Sequence, residues 1–182
     1  LSMRAGLQYA GTPFGRMSMP KGAMTPAEVA DALYKLIPRR VSVELLSEYG
    51  IEGQEEHEET MTRELLSFTL YWVHAAVNAH IPRKYREVLF QRVLELIQAD
   101  WAATFKLESV KWEDYLVEME ERRALYAPVG DYEGGAMAAS EEISDLLENQ
   151  CLIQPEDRPK LLVLLPDLVP LDKYQELLSQ CV

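Results

Sequence analysis

Histidines and carboxylates are the residues with which this chain of 182 could do chemistry: His57, His74 and His80 stand among 30 aspartates and glutamates. Helical carboxylate metal sites draw on Glu-x-x-His pairs, because residues three apart share a helix face. No histidine here has a glutamate three residues before it, and His74 and His80, six apart, fall on different faces of a helix. Nucleophilic catalysis finds no better spacing. There is no Gly-x-Ser-x-Gly elbow, and Cys151 and Cys181 lack the Cys-x-x-Cys separation that brings two thiolates to one metal. Both cysteines are expected as reduced residues of the core. The glycines of GDYEGGA (130–136) match neither GxGxxG nor GxxxxGK[ST], and the acids beside them would repel phosphate. Adjacent acids such as Glu113 with Asp114, or Glu120 with Glu121, read as solvated helix faces. No metal, cofactor or catalytic residue is assigned on these patterns, and an enzyme is the less favoured reading.

One group of side chains points to a different use. Phe68, Trp72, His74, Trp101 and Trp112 lie on helices expected to meet, and small-molecule sites are mostly apolar with a few polar groups. A helical bundle with an internal pocket for an apolar small molecule, lined by these five, is the alternative function. Packing of large aromatics in a core accounts for the same residues without a ligand.

The elements that would position them are helices. Thr25-Pro26-Ala27-Glu28 carries an N-cap threonine, a proline at the first helical position and a glutamate three residues after the cap. Val29, Leu33, Leu36 and Ile37 follow on one face, and Pro38 closes that helix. A shorter helix over 42–49 ends at Gly50, with Ile51 placed for a Schellman contact, and the two are expected to form a hairpin. The link 38–41 has no turn glycine, which argues against a DNA-binding helix-turn-helix. Met61, Leu65, Phe68, Trp72, Ala75 and Ala79 then trace one apolar stripe, and Leu66, Leu70, Val73 and Val77 a second, so this helix is expected at the centre. Its charge-free run, 65–81, contains His74, Asn78 and His80 and is shorter than the roughly 20 apolar residues of a membrane span.

Pro82 opens an antiparallel return carrying Tyr85, Leu89, Val93, Leu96, Ile97 and Trp101. A further helix is expected over about 109–126 with Trp112, Leu116, Met119 and Tyr126 inward and Pro128 beyond its end, and these three helices are expected to make the core. Residues 129–139 read as a long glycine-containing loop, after which Ser140 caps a helix bearing Ile143, Leu146 and Leu147. LLVLL between Pro159 and Pro166 suits a strand or a helical turn; with no second strand-like segment to pair with, helix is the choice. Leu171, Tyr174, Leu177, Leu178 and Cys181 complete a last amphipathic helix. The expected fold is thus all-α, an irregular bundle of six to seven helices forming one domain over 25–182 behind an extended N-terminal arm, 1–24.

Charge sets the expected function. The chain carries a net −12, which opposes nucleic acid as a partner because that affinity rests on neutralising phosphates. Residues 1–24 reverse the sign: they hold Arg4, Arg16 and Lys21 and no acid, together with Leu7, Tyr9, Phe14, Met17 and Met19. Residues 111–150 hold eleven acids against three bases. A basic arm, an acidic helical body and no catalytic spacing suit a non-catalytic interaction or scaffold subunit of a larger protein assembly. Arg4, Leu7, Tyr9, Phe14, Arg16, Met17 and Met19 would make the contact with the partner protein. The acid-free, Arg- and Ser-containing start at Leu1 fits the remnant of a transit peptide and leans the expected location toward the mitochondrial matrix rather than the cytoplasm. A two-residue extension ahead of Met3 explains that start equally well.

Overall fold

The computed structural model describes residues 23–181, and among them every regular element is helical. Helix α1 (Pro26–Leu36) begins with a complete capping box: the Glu28 N–H donates to Thr25 Oγ1 at 3.3 Å, and the Thr25 N–H donates to Glu28 Oε2 at 2.8 Å. Helix α2 (Val43–Glu48) is capped by the Ser42 hydroxyl and closed by the expected Schellman pair. The Ile51 N–H reaches the Leu46 carbonyl and the Gly50 N–H the Ser47 carbonyl, each at 2.9 Å, with Gly50 at φ 74°, a conformation open to glycine at little cost. The chain continues through α3 (Glu58–His80), α4 (Arg83–Ala99), α5 (Trp112–Gly130), α6 (Gly135–Asn149), α7 (Arg158–Leu168) and α8 (Leu171–Leu178). The LLVLL segment is helical, inside α7.

Helix α3 is the hub, packed by α4, α5, α6 and α8. From Met61 to Tyr71 every residue except Arg63 is buried. The polar side chains in that stretch therefore need partners, and they have them. The Val41 N–H donates to Thr62 Oγ1 at 3.0 Å, Ser67 donates to Tyr115 Oη at 3.2 Å, and Thr69 donates back to the Leu65 carbonyl at 2.8 Å. Glu64, 1% exposed, accepts two bonds from Arg122 at 2.7 and 2.9 Å and a third from the Gln150 amide at 3.1 Å. This set of bonds fixes the register of α3 against α5 and α6.

Four features differ from the sequence expectation. Helix α1 does not fold back on α2; its buried face of Val29, Ala30 and Leu33 lies along α4 and touches α8, because six-residue α2 offers only Leu46 to bury against. The trio of α3, α4 and α5 is consequently only part of the core. Residues 129–139 are not a long loop: α5 runs through Pro128 to Gly130 and α6 starts at Gly135. Pro128 removes one hydrogen bond from the last turn, while buried Tyr126 and Gly130 on either side hold the helix together. Gly134, at φ 76°, turns the chain, and a Cβ on Gly135 would lie 2.2 Å from the Gly130 carbonyl oxygen, so the tight corner needs glycine there. Ser140 is inside α6, bonded to the Ala136 carbonyl, rather than its cap. Lastly, Cys151 is exposed and not a core residue, whereas Cys181 is half-buried against the core.

The position of Cys151 has a backbone reason. Its N–H meets the Glu148 carbonyl and the Leu152 N–H meets the Leu147 carbonyl, which makes it the left-handed residue of a second Schellman closure, at φ 57°. A side chain is strained there. Cys151→Gly is expected to stabilise the fold by about 0.5–1 kcal/mol once the added freedom of the unfolded glycine is subtracted, read as a higher urea midpoint at unchanged slope. Around Glu64 the expectation is the opposite: Arg122→Met strands a buried carboxylate and costs about 3–5 kcal/mol, and the double change Glu64→Leu with Arg122→Met recovers most of it.

Candidate functional site

From Tyr71 onward one face of α3 is left uncovered by its neighbours, and that face forms one wall of a crevice. Tyr71, His74, Ala75 and Asn78 recur at the spacing of a single helix face. Opposite them α5 presents Glu120, Arg123, Ala124, Ala127, Gly130 and Asp131, again one face. The trough between the two has a volume of about 640 Å3 and is floored by alanines, which keep it open. At its Glu120 end it meets a smaller, more enclosed pocket of about 200 Å3, where Leu70, Met119 and, from α4, Phe90 and Leu94 add an apolar wall. Tyr71, His74, Glu120 and Arg123 border both hollows.

The polar groups at this junction are tied together. Arg123 pairs with Glu120 one turn back, its Nε at 3.1 Å from Oε2, and its Nη1 lies 3.5 Å from His74 Nε2. Asn78 contacts His74 Nδ1 at 3.2 Å, and the His74 ring meets the Phe90 ring edge-on at 5.0 Å. Burial first, and the Arg123 charge second, lower the pKa of His74 from its ordinary 6.5, so the ring is neutral at pH 7. At the far end Tyr71 donates to Asp131 Oδ1 at 2.7 Å, and burial together with that carboxylate pushes the phenol well above its usual range. A Cβ on Gly130 would sit 2.2 Å from Tyr71 Oη, so the approach of α5 to this tyrosine requires glycine. Chemically the arrangement offers an apolar pocket behind a mouth with one guanidinium, two carboxylates and a neutral imidazole.

The five aromatic candidates divide between separate places. Trp101 and Trp112 meet at 5.1 Å and pack with Tyr115, and the Trp101 indole N–H donates to the Val110 carbonyl at 2.8 Å. These rings fasten the 100–111 segment to the core. Phe68 and Trp72 meet at 6.4 Å and border another open cleft of about 410 Å3 formed with Ala136, Ser140 and residues 165–173. His74 alone of the five lines the crevice. Arg123, Tyr71 and Asp131 were not singled out in the sequence, Glu120 was read with Glu121 as a solvated face and Asn78 only as a polar interruption of the 65–81 run, although Tyr71, His74 and Asn78 on one face of an otherwise apolar helix were a usable signal. The arm residues Arg4, Leu7, Tyr9, Phe14, Arg16, Met17 and Met19 lie outside the described residues. The arm's last residue, Met24, is described: it packs on the core, and its N–H donates to the Gln180 carbonyl at 3.1 Å. Among the described residues no group of three or more metal-ligating side chains is assembled, and no helix is long and apolar enough to cross a membrane.

His74 gives the fold a pH dependence. The unfolded side chain takes up a proton near 6.5, the folded one only at lower pH, so acidification through 6.5 favours unfolding. Stability is expected to fall from pH 7 to pH 5.5 more steeply in the wild type than in His74→Gln, as measured by urea midpoints; parallel curves would show that the ring is not held neutral.

Comparison of the chain with family models, with curated proteins and with solved structures finds no match.

Proposed function

We propose that this chain is a non-catalytic interaction subunit of a larger protein assembly, and that it holds a partner protein through the outward face of α5 and through its basic arm. The observation that carries the reading is an unpaired apolar row at the α5–α6 corner. Leu125 and Pro128 lie on the side of α5 away from the core, Tyr132 follows in the turn past its end, and Met137 is on α6. Leu125 is 37% exposed, Met137 64% and Tyr132 73%. Scattered surface apolar residues are ordinary, but large ones in a row on one face mark contact sites.

Charge supports the same reading. Toward its N-terminus that outward face carries Asp114 and Glu121, both exposed. An acidic and apolar face matches a basic and apolar segment, and the arm with Arg4, Arg16, Lys21, Leu7, Tyr9, Phe14, Met17 and Met19 has that composition. Arm and face thus have complementary chemistry, suited to contacts between neighbouring subunits. The root of the arm at Met24 is anchored beside Gln180, so the arm departs from a fixed point on the body.

The test is the native size of the protein in its own cells. Wild type is expected in a species well above the monomer. Tyr132→Asp with Met137→Asp, and separately Arg4→Glu with Arg16→Glu, are expected to release monomer while the helical circular dichroism is unchanged. A wild type that is monomeric throughout, or an assembly that both variants leave intact, overturns the proposal.

A further inference from the structure

The crevice between α3, α4 and α5 is remote in kind from the apolar row just described, and it has the features of a site for something small. Its inner pocket, about 200 Å3, is walled by Leu70, Phe90, Leu94 and Met119. That is below the range of roughly 300–1,000 Å3 typical of drug-sized ligands, so the occupant is of fragment size. Leu70, Leu94 and Met119 are each buried, and the side of the pocket they form offers no polar group.

The mouth decides the chemistry of the other end. Both Arg123 contacts to Glu120 fall on Oε2, which leaves Oε1, on a residue that borders both hollows, without a hydrogen bond from the described residues. Farther along the trough Tyr71 bonds Asp131 at Oδ1, leaving Oδ2. His74, neutral there, contributes no positive charge. The mouth and trough therefore hold two carboxylates against one guanidinium that is already engaged. A ligand carboxylate could reach only the Nη1 side of Arg123, which Glu120 leaves over, and would sit among like charges; a ligand ammonium can take Glu120 Oε1 without breaking any bond. A neutral hydroxyl would gain only an uncharged hydrogen bond at the same point, and hydrogen bonds to charged groups are the stronger.

We propose that this crevice binds a small primary amine with an apolar body, the ammonium on Glu120 and the body against Leu70, Phe90, Leu94 and Met119. Recognition is by shape at one end and charge at the other, and no covalent step is involved. The site shares no residue with the outward face of α5, so loss of partner binding and loss of amine binding are separate outcomes.

The experiment compares three probes of one skeleton on the full chain by heteronuclear NMR titration: 2-phenylethylamine, 2-phenylethanol and 3-phenylpropanoate. The amine is expected to shift resonances of His74, Leu94 and Met119 and to bind about five- to tenfold more tightly than the alcohol, with the carboxylate weakest. Glu120→Gln, a change at an exposed side chain, is expected to bring amine and alcohol to equal affinity while both still occupy the pocket. Leu94→Phe, which fills the inner pocket, is expected to weaken all three probes. If amine and alcohol bind alike to the wild type, if the carboxylate binds best, if the shifts map elsewhere, or if none appear at about 10 mM, a level suited to so small a ligand, the proposal fails.

Discussion

Everything in this fold answers to one constraint: α3 is buried on all sides over its first half, so it must be wrapped by other helices and every polar atom it carries there must be matched. An amphipathic helix needs one apolar neighbour, whereas a helix without a solvent face needs several. Helices α4, α5, α6 and α8 supply them, all but α4 drawn from distant parts of the chain. The matching bonds are equally long-range. Ser67 to Tyr115 and Glu64 to Arg122 and Gln150 tie α3 to α5 and the end of α6, and a slip of one residue would break all of them at once. Where that wrapping leaves one face uncovered, from Tyr71 onward, the crevice begins.

The local signals at the ends of α1 and α2 translated faithfully, and those at the α5–α6 corner and the non-local pairings did not. The Thr25 capping box and the Gly50–Ile51 closure are made of neighbours in the chain, so their geometry follows from residue type and spacing alone. The pairing of α1 with α4 depends on which apolar face is long enough to receive Val29 and Leu33, and no spacing rule contains that choice. At the α5–α6 corner, proline and glycine were read as marks of a loop. Pro128 instead sits inside a helix, and Gly130 and Gly135 serve close contact between helices, a use that becomes visible only when Tyr71 and the Gly130 carbonyl are seen beside them. The crevice was legible by half. Tyr71, His74 and Asn78 share a face that the period predicts, but their counterparts Glu120, Arg123 and Asp131 lie about fifty residues away and looked like ordinary surface charge.

The excess of acids is distributed over this frame with a regularity of its own. Many of the arginines bridge two elements rather than two residues of one. Arg63 reaches Glu118, Arg92 reaches Asp31, and Arg158 joins Glu141, Asp145 and Glu148 from α7 to α6. Most of these pairs are partly exposed, where a pair contributes little and salt screens it, so their effect lies more in orienting helices than in holding them. Arg122 and Arg40 differ, because their partners Glu64 and Glu58 are shut away from water. An acidic chain thus uses its few cations at the seams, and the surplus carboxylates are left facing outward.

The parallel bridge between Met24 and Cys181 closes the described body end to end. Because the two short segments run in the same direction, a pull toward the N-terminus at Met24 and toward the C-terminus at Cys181 slides them past one another instead of peeling them apart. Tension on the body is then carried first in shear by the bond from the Met24 amide to the Gln180 carbonyl, and only afterwards by the packing of α1 and α8. The seam where the ends meet is the mechanical clasp of the molecule: once it slips, the load passes to the packing of α1 along α4 and of α8 against α3.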